Sequence, residues 1–283
     1  MSLDLSSSGD GFSVELAKQK LAEIARTQSP LLAIDLDDVL CQTSERAAAW
    51  HNEKFGTDMS TSSFYYAMWY KNPGWGTVPE TLDKVKEFYD QDQLQHAESV
   101  PGAAEGLQDL QKLGYHLVIV TARILEKEMD STVQWLQRHF DGTFDYVIFS
   151  SQPEERVENN GRCIGTTLSK LEICTELGSF LLVDDLVETA LAFGRHAQRP
   201  MLLFGDYEWN KRINSSDQWC FHEKLKEEDG REWWKDEDVE LQPEDKIWRV
   251  RDWPEVVKWI SQRTNHKAEP SNSIPSSSLP QSS

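Results

Sequence analysis

The chain has 283 residues, 39% of them hydrophobic and 11 of them Trp, enough apolar material for one large core with a substantial insertion. Lys and Arg number 29 against 48 Asp and Glu, a formal net charge of −19. That balance argues against a nucleic-acid polymer or an anionic membrane surface as partner, because Lys and Arg supply most of the grip on both; a small anionic substrate remains compatible, since a cation and a few local donors can overrule the global field.

Residues 1–29 form an N-terminal segment with a weak helical period over 13–26 and no apolar run of signal-peptide length. "LLAID" (31–35) reads as a short buried strand and is followed at once by Asp37 and Asp38. Residues 41–100 hold two or three helical patterns and many aromatics, too long for a simple crossover, and read as a mainly helical cap inserted after the first strand. After the Pro101-Gly102 turn the chain alternates. Helical spacing over 106–115 leads into the strand "HLVIVT" (116–121), a helix over 128–140 into "YVIF" (146–149), and a helix over 168–178 into "FLLVDD" (180–185). "VETALAFGRH" is a helix before the strand "PMLLF" (200–204), and "KIWRV" (246–250) is one more strand before a last helix around "PEVVKWI". Continuous apolar strands alternating with helices predict an α/β, Rossmann-like, doubly wound parallel sheet built from 30–40 and 101–262. A polar, Trp-rich excursion over 207–245 reads as partly ordered, and the Ser/Pro-rich end, 263–283, as a disordered tail. Cys41, Cys163, Cys174 and Cys220 show no C-x-x-C spacing, which predicts a reduced, cytoplasmic setting, and no stretch approaches a membrane span.

Ligands of open parallel sheets bind beyond the carboxyl ends of the strands, so the residues just past each strand are the candidates. They are Asp35 and Asp37 after the first strand, Thr121, Ala122 and Arg123 after the second, and Asp184 and Asp185 after the fourth; Lys170 opens the helix before it. Clustered carboxylates repel and raise one another's pKa, and a hard divalent cation with its preference for oxygen ligands is the usual remedy. Each piece alone also has a structural use: Asp35 and Asp37 as a strand-end turn, Asp184-Asp185 as a helix cap, Lys170 as a solvated helix residue. Arg123 fits either an anionic ligand or an ion pair with acids such as Glu126 or Glu128. The cap aromatics Phe64, Tyr65, Tyr66, Trp69, Tyr70 and Trp75 fit a small core, or rings facing the crevice to stack on a planar leaving group.

"LLAIDLDDVL" resembles the hhhhDxDx[TV] first motif of haloacid-dehalogenase-like hydrolases; "LVIVT", Lys170 and "LLVDD" resemble the second, third and fourth motifs, in family order. The resemblance covers 30–205 well and runs more loosely to 262, and "PGAAEGLQDLQKLGYHLVIVTAR" is most like the branch of nucleotidases of the deoxyribonucleotidase type. It implies an Mg²⁺-dependent phosphomonoesterase acting on a small phosphorylated metabolite, such as a nucleoside monophosphate. Asp35 would be the nucleophile that forms an aspartyl-phosphate, Asp37 the general acid/base with a pKa high enough to carry a proton, and Lys170 the charge-cancelling residue. Thr121, Ala122 and Arg123 would contact the phosphate, and Asp35, the Asp37 carbonyl and Asp184 or Asp185 would ligate the metal. The alternative is an inactive protein of the same fold that binds a basic partner through 207–245. Phosphotransfer to a second sugar stays open, and the sequence fixes no oligomeric state.

Overall fold

In a computed structural model of the protein, residues 14–215 and 217–268 are described, with side chains through 263; the Ser/Pro-rich end beyond Ala268 lies outside the described residues. Eight strands form one sheet in the order β4-β5-β3-β2-β1-β6-β7-β8. They are β1 (Leu31–Ile34), β2 (His116–Thr121), β3 (Tyr146–Phe149), β4 (Arg156–Glu158), β5 (Cys163–Gly165), β6 (Leu182–Asp184), β7 (Met201–Phe204) and β8 (Ile247–Val250). Every pairing is parallel except β4 with β5. The central strands β1, β5, β6 and β7 are buried along their whole length, as sheets covered on both faces require, whereas the edge strands β4 and β8 keep exposed positions.

Two helical layers supply the cover. Val14–Thr27 (α1) packs with Lys170–Glu176 (α6) on one face, where Leu21, Ile24, Ile173 and Cys174 join Ala33, Val118 and Leu182. On the other face Ala103–Lys112 (α4) packs with Trp253–Ala268 (α9), and both cover Ile34, Ile119 and Val183 with Leu125–Phe140 (α5). α4 and α9 approach so closely that a Cβ at Gly106 would lie 2.7 Å from the Trp253 ring. That ring donates its N–H to Val39 O at 3.0 Å, tying α9 to the loop after β1. α9 runs past the end read for the core, reaching Ala268. The β4–β5 hairpin was not among the expected strands: "RVE" and "CIG" are three residues each and carry no alternation to reveal them.

Between β1 and β2 stand Thr43–Phe55 (α2) and Val78–Asp90 (α3), with short 3-10 turns at Thr61–Ser63, Trp69–Lys71 and Gln93–His96. α3 starts on a capping box, Thr77 with Glu80, and Pro79 stands in its first turn, where a missing N–H costs nothing. The insertion has its own apolar centre of Trp50, Phe64, Trp75, Phe88 and Leu94.

The region after β7 is a strap rather than a loose loop. Its polypeptide passes through 3-10 turns at Glu208–Lys211 and Trp233–Lys235 and the short helix Phe221–Glu227 (α8), with Val187–Leu191 (α7) behind it. Phe221, Trp233 and Trp234 pack on Tyr66 of the insertion, and Tyr65 stacks on Trp234 at 4.9 Å and 18°. Lys71, fully buried, donates to Ser215 O at 2.6 Å and lies over the Trp219 ring.

Candidate active site

The carboxyl ends of β1, β2 and β6 converge, and the residues past them meet as the strand-end rule predicts. Asp35 follows β1 directly, its N–H donating to Val183 O of β6 at 2.9 Å. Asp184 and Asp185 close β6 beside it, and Asp35, Asp184 and Asp185 each offer a carboxylate oxygen within 4.8 Å of the others. Lys170 opens α6 because Ser169 caps that helix in a box with Glu172. A cation is electrostatically misplaced at a helix N-terminus; two carboxylates overrule this, with Lys170 Nζ 2.8 Å from Asp35 Oδ2 and donating to Asp184 Oδ2 at 2.6 Å.

The two adjacent acids differ in use. Asp184 is fully buried and committed on both oxygens, Oδ2 to Lys170 and Oδ1 to the Leu186 N–H at 2.9 Å; this is a turn two residues on rather than the helix cap expected of the pair, since Leu186 is itself the N-cap of α7 and no side chain caps it. Asp185 lines the cavity, and among the described residues its hydrogen-bond donor is the Trp209 indole N–H, to Oδ2 at 2.7 Å. Burial pushes Asp35 up to about 7 against the opposing pull of Lys170. Burial, with the charges of Asp184 and Asp35 added, holds Asp185 well above the usual carboxylate range. Acids this costly to ionise, with oxygens converging on one point, are a donor set that fits a hard divalent cation.

Asp37 behaves differently. Burial alone would raise its pKa, but Arg123 outweighs burial: Nε donates to Oδ2 at 3.0 Å and Nη2 to Oδ1 at 2.6 Å, and Asp37 is held below the usual range. Thr43, at the start of α2, donates its hydroxyl to the same carboxylate. The expectation of an acid raised enough to carry a proton therefore does not describe the resting structure. Arg123, buried at 4% exposure, also donates to Thr132 Oγ1 at 3.1 Å; its carboxylate partner is Asp37 rather than Glu126 or Glu128. Thr121 is fully buried, its hydroxyl accepting the Arg123 N–H at 3.2 Å, and Ala122 and Arg123, not Thr121, line the cavity. Asp38 takes a left-handed turn (φ 56°) and caps α2, accepting from Ser44 N at 2.9 Å and Ser44 Oγ at 2.6 Å.

The cavity in front of these groups measures about 1070 Å³, at the upper end for small-molecule sites. Its far wall comes from the insertion. Trp69, Met68, Leu82 and Tyr89 line it, while Trp75 is buried in the insertion's own core and Tyr65 and Tyr66 pack on the strap, so the aromatic cluster divides among cavity wall, core and strap.

Two residues absent from the sequence-based set reach the site from the stretch after β7. Gly205, at φ +86°, turns the chain inward, and Tyr207 donates its hydroxyl to Asp38 O at 2.8 Å. Trp209 stacks on Tyr207 at 4.3 Å and 9° and reaches Asp185. The strand-end rule that found the other groups points here too, had it been applied to β7.

Residues 29–152 match the model of the family described as 5′ nucleotidase, deoxy (pyrimidine), cytosolic type C protein. A search of curated proteins finds no match. Among solved structures the chain is similar to a predicted phosphoglycolate phosphatase from Haemophilus somnus (15% identity, 82% of this chain and 97% of that one, TM-score 0.47). It is also similar to a predicted phosphatase from Clostridium acetobutylicum (13%, 82% and 98%, TM-score 0.46). A third is a haloacid-dehalogenase-like hydrolase from Streptococcus pneumoniae (13%, 82% and 98%, TM-score 0.42).

Proposed function

We propose that this chain, a haloacid-dehalogenase-like hydrolase of the phosphatase and nucleotidase type by its motifs and its matching family model, is an Mg²⁺-dependent phosphomonoesterase for a small metabolite. A nucleoside monophosphate is the substrate that the match over 29–152 favours. The observation that carries the reading is the bridge Asp35–Lys170–Asp184, which joins three separate sequence motifs through contacts of 2.8 and 2.6 Å.

Asp35 attacks phosphorus, the bond to the leaving oxygen breaks, and an aspartyl-phosphate forms. Lys170 keeps the nucleophile in place and offsets charge on the phosphoryl oxygens as it builds. Asp35, Asp185 and the Asp37 carbonyl would hold Mg²⁺, which when bound neutralises charge between phosphate and nucleophile. Asp185 is chosen over Asp184 because Lys170 and the Leu186 N–H already occupy both Asp184 oxygens. Asp37, ionised at rest, is prepared to take the proton of the water that cleaves the intermediate. A phosphate dianion arriving beside it raises its affinity for a proton, which it takes from solvent and passes to the leaving oxygen, so that it is ionised again when that water attacks. The helical insertion acts as a cap, and the Trp69 and Tyr89 rings on its cavity wall suit a planar leaving group. Four buried free thiols support a reducing, cytosolic setting; among the described residues no helix is long and apolar enough to cross a membrane.

The test is phosphate release from a panel of phosphorylated metabolites. EDTA abolishes turnover and Mg²⁺ restores it, and Asp35→Asn lowers kcat by about 10³-fold or more, the scale of losing a covalent nucleophile. Full activity in chelator removes the metal assignment; wild type and Asp35→Asn equally inert on every substrate favour a binding protein.

A further inference from the structure

Two neighbouring carboxylates of one strand end have been given opposite electrostatic surroundings. Asp184 is met by a full positive charge at 2.6 Å. Asp185 is met at 2.7 Å by a neutral indole N–H, with no cation within ion-pair distance among the described residues. A neutral donor fixes one oxygen in space without cancelling the charge, so the other oxygen keeps its full attraction for a cation. The donor itself cannot drift. Trp209 is 3% exposed, stacked on Tyr207, and set edge-on to Phe64 of the cap at 6.4 Å and 83°. The next residue, Asn210, is buried and clamps the loop by donating to Phe204 O at 2.7 Å and Gly205 O at 2.8 Å. Tyr207 anchors the same loop on the carbonyl of Asp38, the residue after Asp37.

We infer that Trp209 is a positioning residue for cation binding: its indole N–H holds the Asp185 carboxyl group in its ligating orientation without supplying a countercharge that would compete with the cation. The inference rests on the metal assignment proposed above and adds to it a residue from a part of the chain that the family model does not reach. Trp209 touches no reacting atom in this role; it acts through Asp185.

The experiment is calorimetric titration of Mg²⁺ into the full chain without substrate. Replacing Trp209 by the near-isosteric 3-benzothienylalanine removes the N–H and keeps the ring, and Trp209→Phe serves as a second variant. The expected result is Mg²⁺ affinity weakened 10- to 100-fold, the scale of losing an outer hydrogen bond to a metal ligand, with the thermal midpoint of the benzothienyl protein close to wild type. At saturating Mg²⁺ its kcat recovers. In an Asp185→Asn background the same replacement weakens binding no further. Wild-type binding with both variants within twofold of it overturns the role of Trp209 and leaves the metal assignment standing. No Mg²⁺ binding by the wild type, with turnover unaffected by EDTA, overturns the metal assignment and this inference with it.

Discussion

Arg123 shows how one side chain sets the chemistry of another. Its side chain is 2% exposed while the Asp37 side chain is 31% exposed, so the buried partner is the cation and the half-buried one the acid. A carboxyl whose folded pKa lies below its unfolded value gives stability that is present above about pH 4 and lost as pH falls through the folded pKa. Arg123→Met reverses the sign. With Arg123 gone, burial dominates and Asp37 moves above its unfolded value, so the variant loses stability as pH rises. We expect Arg123→Met to be destabilised at pH 7.5 by about 1–3 kcal/mol, moderated by the water that Asp37 retains, and the deficit to shrink toward pH 5. Urea denaturation at both values measures it; a deficit that is constant or larger at pH 5 contradicts the assignment. At this scale the sequence is readable where a side chain sits on a periodic element. Asp35, Lys170, Asp184 and Asp185 could be placed because strand ends and helix starts could be. The partner of Arg123 could not, since Asp37 lies 86 residues away and Glu126 and Glu128 are the near neighbours.

At the scale of elements, the strap decides how the cap sits. Tyr66 accepts the Trp233 indole N–H at 2.9 Å and donates to Glu237, and Arg212 donates to Tyr65 O at 3.3 Å and to the Trp234 carbonyl. Tyr65 and Tyr66 stand directly before Met68 and Trp69 on the cavity wall, so the strap braces that wall from behind. Trp234→Ala removes a buried ring, 5% exposed, from this joint. The expected cost is about 3–5 kcal/mol by urea denaturation, with KM rising more than kcat falls because the wall loosens and the strand-end groups do not. An unchanged KM shows that the wall stands without the brace. The main sheet was legible because apolar runs of four to six residues alternate with helical spacing. The strap was not, since its order comes from rings meeting rings across the fold and leaves no period along the chain.

For the whole molecule, the charge of −19 surrounds a site that must admit phosphate. Lys170 and Arg123 at the site are each already matched to carboxylates, and one divalent cation changes a net charge of −19 little, so the long-range field opposes the substrate. Raising ionic strength from about 0.01 to 0.15 M shortens the screening length from roughly 30 to 8 Å. We expect kcat/KM for a phosphate monoester at saturating Mg²⁺ to rise by about two- to fivefold over that range, the direction set by a repulsive net charge. A fall instead shows that the local cations govern capture. The polar exterior and its sign could be read from composition alone; the way the strap, the cap and the sheet meet could not. That meeting has a consequence for how the polypeptide emerges during synthesis. The cap leaves the ribosome well before Trp209, Trp233 and Trp234, which lie 167 residues behind Tyr66 in the case of Trp233. Tyr65 and Tyr66 therefore wait for Trp234 and Trp233, and the buried ammonium of Lys71 for Trp219, while the intervening chain is made, and the pocket is finished only once the strap has emerged.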